Sequence, residues 1–167
     1  MYSRNYNRKI SDNSQLINKS VSEIRAIWTS RQEAQKSTIK YSLDIKDYSE
    51  WEKKYAEYIS FSQAVLSLIN QKGYSSKEFY KKAHIDRKLF SKLKTDYCYH
   101  PNKITAIKIC FALELSYDET EFLLKKAGFA LMNWDFFDLV ISYCFKKEIT
   151  DIDIVNEILI QLDEKSI

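Results

Sequence analysis

Glycine and proline are scarce in this chain: two glycines, Gly73 and Gly128, and a single proline, Pro101, among 167 residues. A β-rich domain of this length needs many more residues suited to tight turns, so helix is the expected default. The same scarcity excludes glycine-rich phosphate loops of the G-x-x-x-x-G-K-[ST] or G-x-G-x-x-G kind, which need glycines close together. Cysteine is sparse as well: Cys98, Cys110 and Cys144 are odd in number, widely spaced and form no C-x-x-C pair. That argues against a disulfide framework and for a reducing compartment, so a cytoplasmic location is expected. No stretch reaches the roughly 18 apolar residues that a membrane span needs. No apolar run follows Arg4, Arg8 and Lys9, so neither a membrane segment nor a secretory signal is expected.

What is present points to a compact helical body. Hydrophobic residues make up 45% of the chain, enough for one packed core but not for two large domains. The net charge of +3 hides an uneven distribution. Residues 1–59 carry +3, residues 60–128 carry +5 and residues 129–167 carry −5. Between Ser60 and Lys108 ten lysines and arginines face three carboxylates, the footprint of a polyanion contact, although solvated lysine-rich helices produce the same imbalance.

Periodicity divides the chain into three parts: an N-terminal arm over 1–59, a compact domain over 60–129 and a C-terminal helical extension over 130–167. The first dozen residues lack an apolar period and are expected to fray. Ile17, Val21, Ile24 and Trp28 then share one helical face. From Ile39 to Ile45 apolar and polar residues alternate, which suits an extended connector or a strand paired with another chain. Asp47 and Glu50 form a capping-box pattern before Tyr48, Trp51, Tyr55 and Tyr58, an aromatic helix face suited to packing or to a protein partner.

From Ser60 the signals sharpen. Ser60 with Gln63 and Ser75 with Glu78 are capping boxes, and Gly73 suits a helix end. Asp86 caps a third helix that carries Leu89, Phe90 and Leu93 inward. Pro101 fits the first turn of a fourth helix. Asp118 opens a fifth, whose Phe122, Leu123, Leu124 and Ala127 are expected to face the core before Gly128 ends it. Two further helices are expected over about Asp135–Lys147 and Ile152–Leu162, the first of them within a dense apolar region that includes Trp134 and Phe136.

The run SSKEFYKKAHIDRKLFSKLK from Ser75 to Lys94, the Pro101-led helix and LELSYDETEFLLKKAG from Leu113 to Gly128 together resemble the Cro/C1-type, Xre-like helix-turn-helix domain of repressors. The continuation GFALMNWDFFDLVISYCF, from Gly128 to Phe145, is similar to an uncharacterised bacterial helix-turn-helix-like module. The resemblance implies an all-α, lambda-repressor-like bundle whose third helix enters the major groove of double-stranded DNA. It places Asp86, Arg87, Lys88, Ser91 and Lys92 outward on that recognition helix, with Ile85, Leu89, Phe90 and Leu93 inward.

The chemistry suits those positions. Arg87 and Lys88 stand where side chains reach base edges, and arginine can make a bidentate contact to guanine. Lys92, Lys94, Lys77, Lys81 and Lys103 are placed for backbone phosphate. Two positions depart from the family pattern. Tyr80 replaces the usual small residue and implies a wider helix crossing or an altered register; His84 replaces the usual turn glycine at a position that wants a positive φ.

No constellation suggests an enzyme. Cys98, His100 and His84 supply too few ligands at the wrong spacing for zinc, and no cysteine has a visible base beside it. Asp151, Asp153, Glu119 and Glu121 read as helix-start residues. Neither a catalytic group, a metal nor a cofactor is expected. The expected function is therefore a transcriptional regulator that binds double-stranded DNA, with homodimer formation as companion because one recognition helix makes few contacts. The rival is a protein-interaction adaptor or inhibitor, a phage or defence-system component, working through the tyrosine-rich arm and the acidic C-terminal part.

Overall fold

The computed structural model describes residues 2–34, of which 13–30 with their side chains, and residues 59–167. Among them the chain forms eight helices and no strand: α1 (Tyr2–Ala34), α2 (Phe61–Gln71), α3 (Ser76–Lys82), α4 (Arg87–Thr95), α5 (Lys103–Ala112), α6 (Tyr117–Lys126), α7 (Phe136–Lys146) and α8 (Ile152–Gln161). The alternating segment from Ile39 to Ile45 and the aromatic face of Tyr48, Trp51, Tyr55 and Tyr58 lie outside the described residues.

Each helix from α2 to α8 begins at a serine, aspartate or asparagine: Ser60, Ser75, Asp86, Asn102, Ser116, Asp135 and Asp151. Each of these side chains accepts a backbone N–H from the first turn, a cap of about 1 kcal/mol. The capping boxes at Ser60 and Ser75 are as the sequence predicts. Two starts differ. Pro101 stands before the cap rather than in the first turn, because Asn102 supplies the oxygen for Thr105 N–H at 2.7 Å. The helix expected to open at Asp118 is capped by Ser116, whose side chain and Glu119 complete a third capping box.

The helix ends repeat one device. The residues after the C-caps of α2, α3, α5, α6, α7 and α8 are Gly73, His84, Glu114, Gly128, Glu148 and Asp163, with φ between 48° and 76°. The residue that follows each of them reaches back across the helix end, as in Tyr74 N–H to Ile69 O at 3.1 Å, Ile85 N–H to Tyr80 O at 3.1 Å and Leu115 N–H to Cys110 O at 3.3 Å. This is the Schellman closure, in which an apolar residue following the left-handed position often packs down onto the core. Only two of the six positions hold glycine, so four side-chain-bearing residues accept a strained φ.

One core joins the helices. α5 is buried almost all round through Thr105, Ala106, Ile107, Ile109, Cys110, Phe111 and Ala112, which makes it the central helix. It packs on α6 and α8; α6 also meets α2 and α7, and α2 meets α4. Phe111 stacks on Phe145 of α7 with centroids 4.0 Å apart.

The arm and the extension are tied into this body. The first dozen residues, expected to fray, continue α1 as helix from Tyr2, in a stretch free of glycine and proline. α1 lies across α7 and α8, with Ile17, Val21 and Ile24 in the common core and Trp28 half-buried against Phe136, 4.7 Å between ring centroids. Its apolar face is therefore spent inside the chain rather than kept for association. Tyr143 fastens the same contact, its hydroxyl donating to Glu23 Oε2 at 2.6 Å.

Candidate nucleic-acid interface

α4 is held by few but well-buried side chains. Ile85, Phe90 and Leu93 are buried, and Leu89 is half-buried. The Phe90 ring lies 5.7 Å from Phe79 and 6.2 Å from Tyr80 of α3. Tyr80, where the repressor pattern has a small residue, is half-buried and fills the contact between the two helices with its ring. The turn between them places His84 at φ 48°, the left-handed value expected of that position. Asp86 then caps α4 by accepting Leu89 N–H at 2.6 Å.

With that inner face fixed, helical periodicity turns Arg87, Lys88, Ser91, Lys92 and Lys94 to solvent, and all five are exposed. Lys77 and Lys81, one turn apart on α3, are exposed too. Among the described residues none of these six cations comes within 4.0 Å of a carboxylate. The acidic groups nearest in sequence are committed elsewhere: Glu78 to Ser75 N–H at 3.0 Å, Asp86 to its cap and Asp96 to Cys98 N–H at 3.0 Å. The outer side of α3 and α4 therefore carries uncompensated positive charge, which attracts a polyanion.

Two further lysines of this region, Lys103 and Lys82, are structural. Lys103, expected at phosphate, instead donates to Asp138 Oδ2 at 2.6 Å. Asp138 is only 1% exposed and takes Met132 N–H on the same oxygen at 2.7 Å, so Lys103 is the counter-ion that makes its burial tolerable. It is withdrawn from the candidate interface. Lys82 bonds to Glu114 and to the Tyr74 hydroxyl. Burial pulls the Lys82 ammonium pKa down, but these two partners outweigh it and leave the pKa raised. Sequence reasoning missed Asp138 and Glu114 because each meets its lysine only across the fold.

Other chemistry finds less support. Among the described residues no group of three or more histidine, cysteine or acidic side chains is placed to hold a metal. Burial pushes the Cys144 thiol up to about 12 and the Cys110 thiol higher still, so neither offers a thiolate near neutral pH. His84 Nδ1 stands 4.0 Å from Asp153 Oδ1, which brings the acidic start of α8 beside the α3–α4 turn. No helix among the described residues is long and apolar enough to cross a membrane. Comparison of the chain with protein-family models, with curated proteins and with solved structures gave no match.

Proposed function

We propose that this chain is a non-enzymatic, DNA-binding transcriptional regulator that uses α3 and α4 as a helix-turn-helix. The observation that carries the reading is the set of six exposed cations on these two helices, none neutralised by a carboxylate among the described residues. Arg87 and Lys88 at the start of α4 would meet base edges, while Lys92, Lys94, Lys77 and Lys81 would meet phosphates. Ser91 lies on the same exposed side and would add a neutral donor. The three cysteines are free, which suits a reducing cytoplasm.

The test is a salt titration of binding to random duplex DNA, comparing the parent with a variant carrying Arg87→Ala, Lys88→Ala and Lys92→Ala. The variant should stay folded and bind more weakly, and its plot of log affinity against log salt should flatten by about 0.9 for each phosphate it no longer neutralises. A parent that shows no salt-dependent binding, or a variant that keeps the parental slope, would falsify the assignment. The adaptor reading would then take its place; its support is Trp134, 66% exposed.

A further inference from the structure

A groove of about 480 Å³ lies between α2 and α6, walled by Ile59, Ala64, Leu68, Phe122 and Leu123. Phe122, which the sequence assigns to the core, is 41% exposed at its edge, and Ile59 is 45% exposed. Among the described residues, the half-exposed ring, Ile59 and the apolar hollow beside them make one contiguous patch, the kind of surface a partner covers.

The charge pattern of α6 says which partner. Phe122 is the midpoint of a sign-reversing array: Glu119 and Asp118 stand three and four residues before it, Lys125 and Lys126 three and four after it. At the helical rise these residues stand about 4.5–6 Å along the axis to either side of Phe122. Acidic first turns and basic last turns suit the dipole of any helix, so the charges alone would mean little. Centred on an exposed ring beside a groove, they are complementary to their own copy turned end for end.

We infer that two copies of this chain associate through this face, α6 running antiparallel to α6 of the second copy about a two-fold axis near Phe122. Each Phe122 then enters the groove of the other copy, and Asp118 of one faces Lys126 of the other; Glu119, whose carboxylate also closes its own capping box, lies opposite Lys125 as the weaker pair. The same patch serves both partners, as a closed dimer requires. Lys126 donates to Ile59 O at 3.1 Å and covers its own Phe122 ring at 4.8 Å, which holds its ammonium at the rim of the groove. From there its charge attracts Asp118 across the axis.

The inference does not depend on DNA binding, and its test does not measure it. Sedimentation equilibrium of the full chain over ~1–100 µM should show a dimer. Phe122→Asp, at a partly exposed site, should keep the helical circular dichroism and weaken association by at least about 10-fold. Asp118→Lys and Lys126→Asp should each weaken it by about 10-fold, and the two together should return it to within about 3-fold of the parent. A monomer at every concentration overturns the inference, as does a dimer indifferent to Phe122→Asp. A double swap no better than the single changes overturns the antiparallel arrangement.

Discussion

The α3–α4 pair and the α5–α7 pair divide the work of the molecule. α3 buries Phe79 alone, and α4 buries only Phe90 and Leu93. α5 buries seven of its ten residues and α7 eight of its eleven, so the folding free energy from apolar burial is concentrated there. The first pair keeps six cations exposed, with no carboxylate within 4.0 Å among the described residues; the second tolerates a carboxylate only as the Lys103–Asp138 pair. α4 therefore carries its cations on a face that contributes little to the core, where only solvent and salt screen their mutual repulsion.

The sharpest break of that comparison is in the core. Phe111→Ala removes a ring that is fully buried and stacked on Phe145, and should cost about 3–5 kcal/mol in urea unfolding. Arg87→Ala, Lys88→Ala and Lys92→Ala should each stay within about 0.5 kcal/mol. If the α4 changes destabilise as much as Phe111→Ala, the division of labour is wrong.

A lysine from each region gives a second, smaller contrast. Lys103→Met leaves Asp138 buried without its counter-ion, at a cost of about 2–3 kcal/mol because Lys103 is itself partly exposed. Lys92→Met should cost almost nothing. In the salt titration the roles should reverse: the Lys103 ammonium is bonded to Asp138, so its replacement should leave the slope unchanged.

These contrasts mark where the sequence is readable. The caps at Ser60, Ser75 and Asp86 are legible because their chemistry is complete within three residues. The outward set on α4 is legible because Leu89, Phe90 and Leu93 fix the inner face. Phe122 is not, because Phe122, Leu123 and Leu124 are consecutive and together span too much of a helix to face one way; packing on α2 decides which is left out. Lys103 looks like any other lysine until α7 brings Asp138, 35 positions away, to its ammonium. The helix ends at Glu114, Glu148 and Asp163 escape because their left-handed positions lack the glycine that usually signals them. The scarcity of glycine thus foretells helices correctly and conceals how they stop.

The α1–α7 contact adds a pH dependence. Burial, then the hydrogen bond to Glu23, pushes Tyr143 up to about 12, while that same bond, against a partial burial effect and aided by Lys147, holds Glu23 below 4.5. A raised tyrosine contributes fully below its ordinary value of 10 and loses its contribution as pH rises through about 12. A depressed glutamate contributes above 4.5 and loses its contribution as pH falls further. The Tm difference between the parent and Tyr143→Phe should therefore be flat between these limits and shrink beyond both. A difference that changes across neutral pH would point to other groups.

The smallest expected effect concerns the concealed helix ends, and it separates a helix end that only turns the chain from one that also pairs a charge. Glu148 holds φ 55° after α7 with an exposed side chain, so glycine there removes left-handed strain at little cost in side-chain interactions. Unfolded-state entropy takes back part of the gain, which leaves Glu148→Gly more stable by about 0.5–1 kcal/mol. Glu114 has φ 48° and the same relief to offer, but its carboxylate is the partner of Lys82. Glu114→Gly strands a half-buried ammonium with only the Tyr74 hydroxyl, so the two effects should nearly cancel. Urea midpoints at matched slopes decide the matter. An equal gain from both substitutions would mean that the Lys82–Glu114 pair contributes nothing to stability, and a destabilised Glu148→Gly would mean that the Glu148 side chain stabilises the fold by more than its strained φ costs.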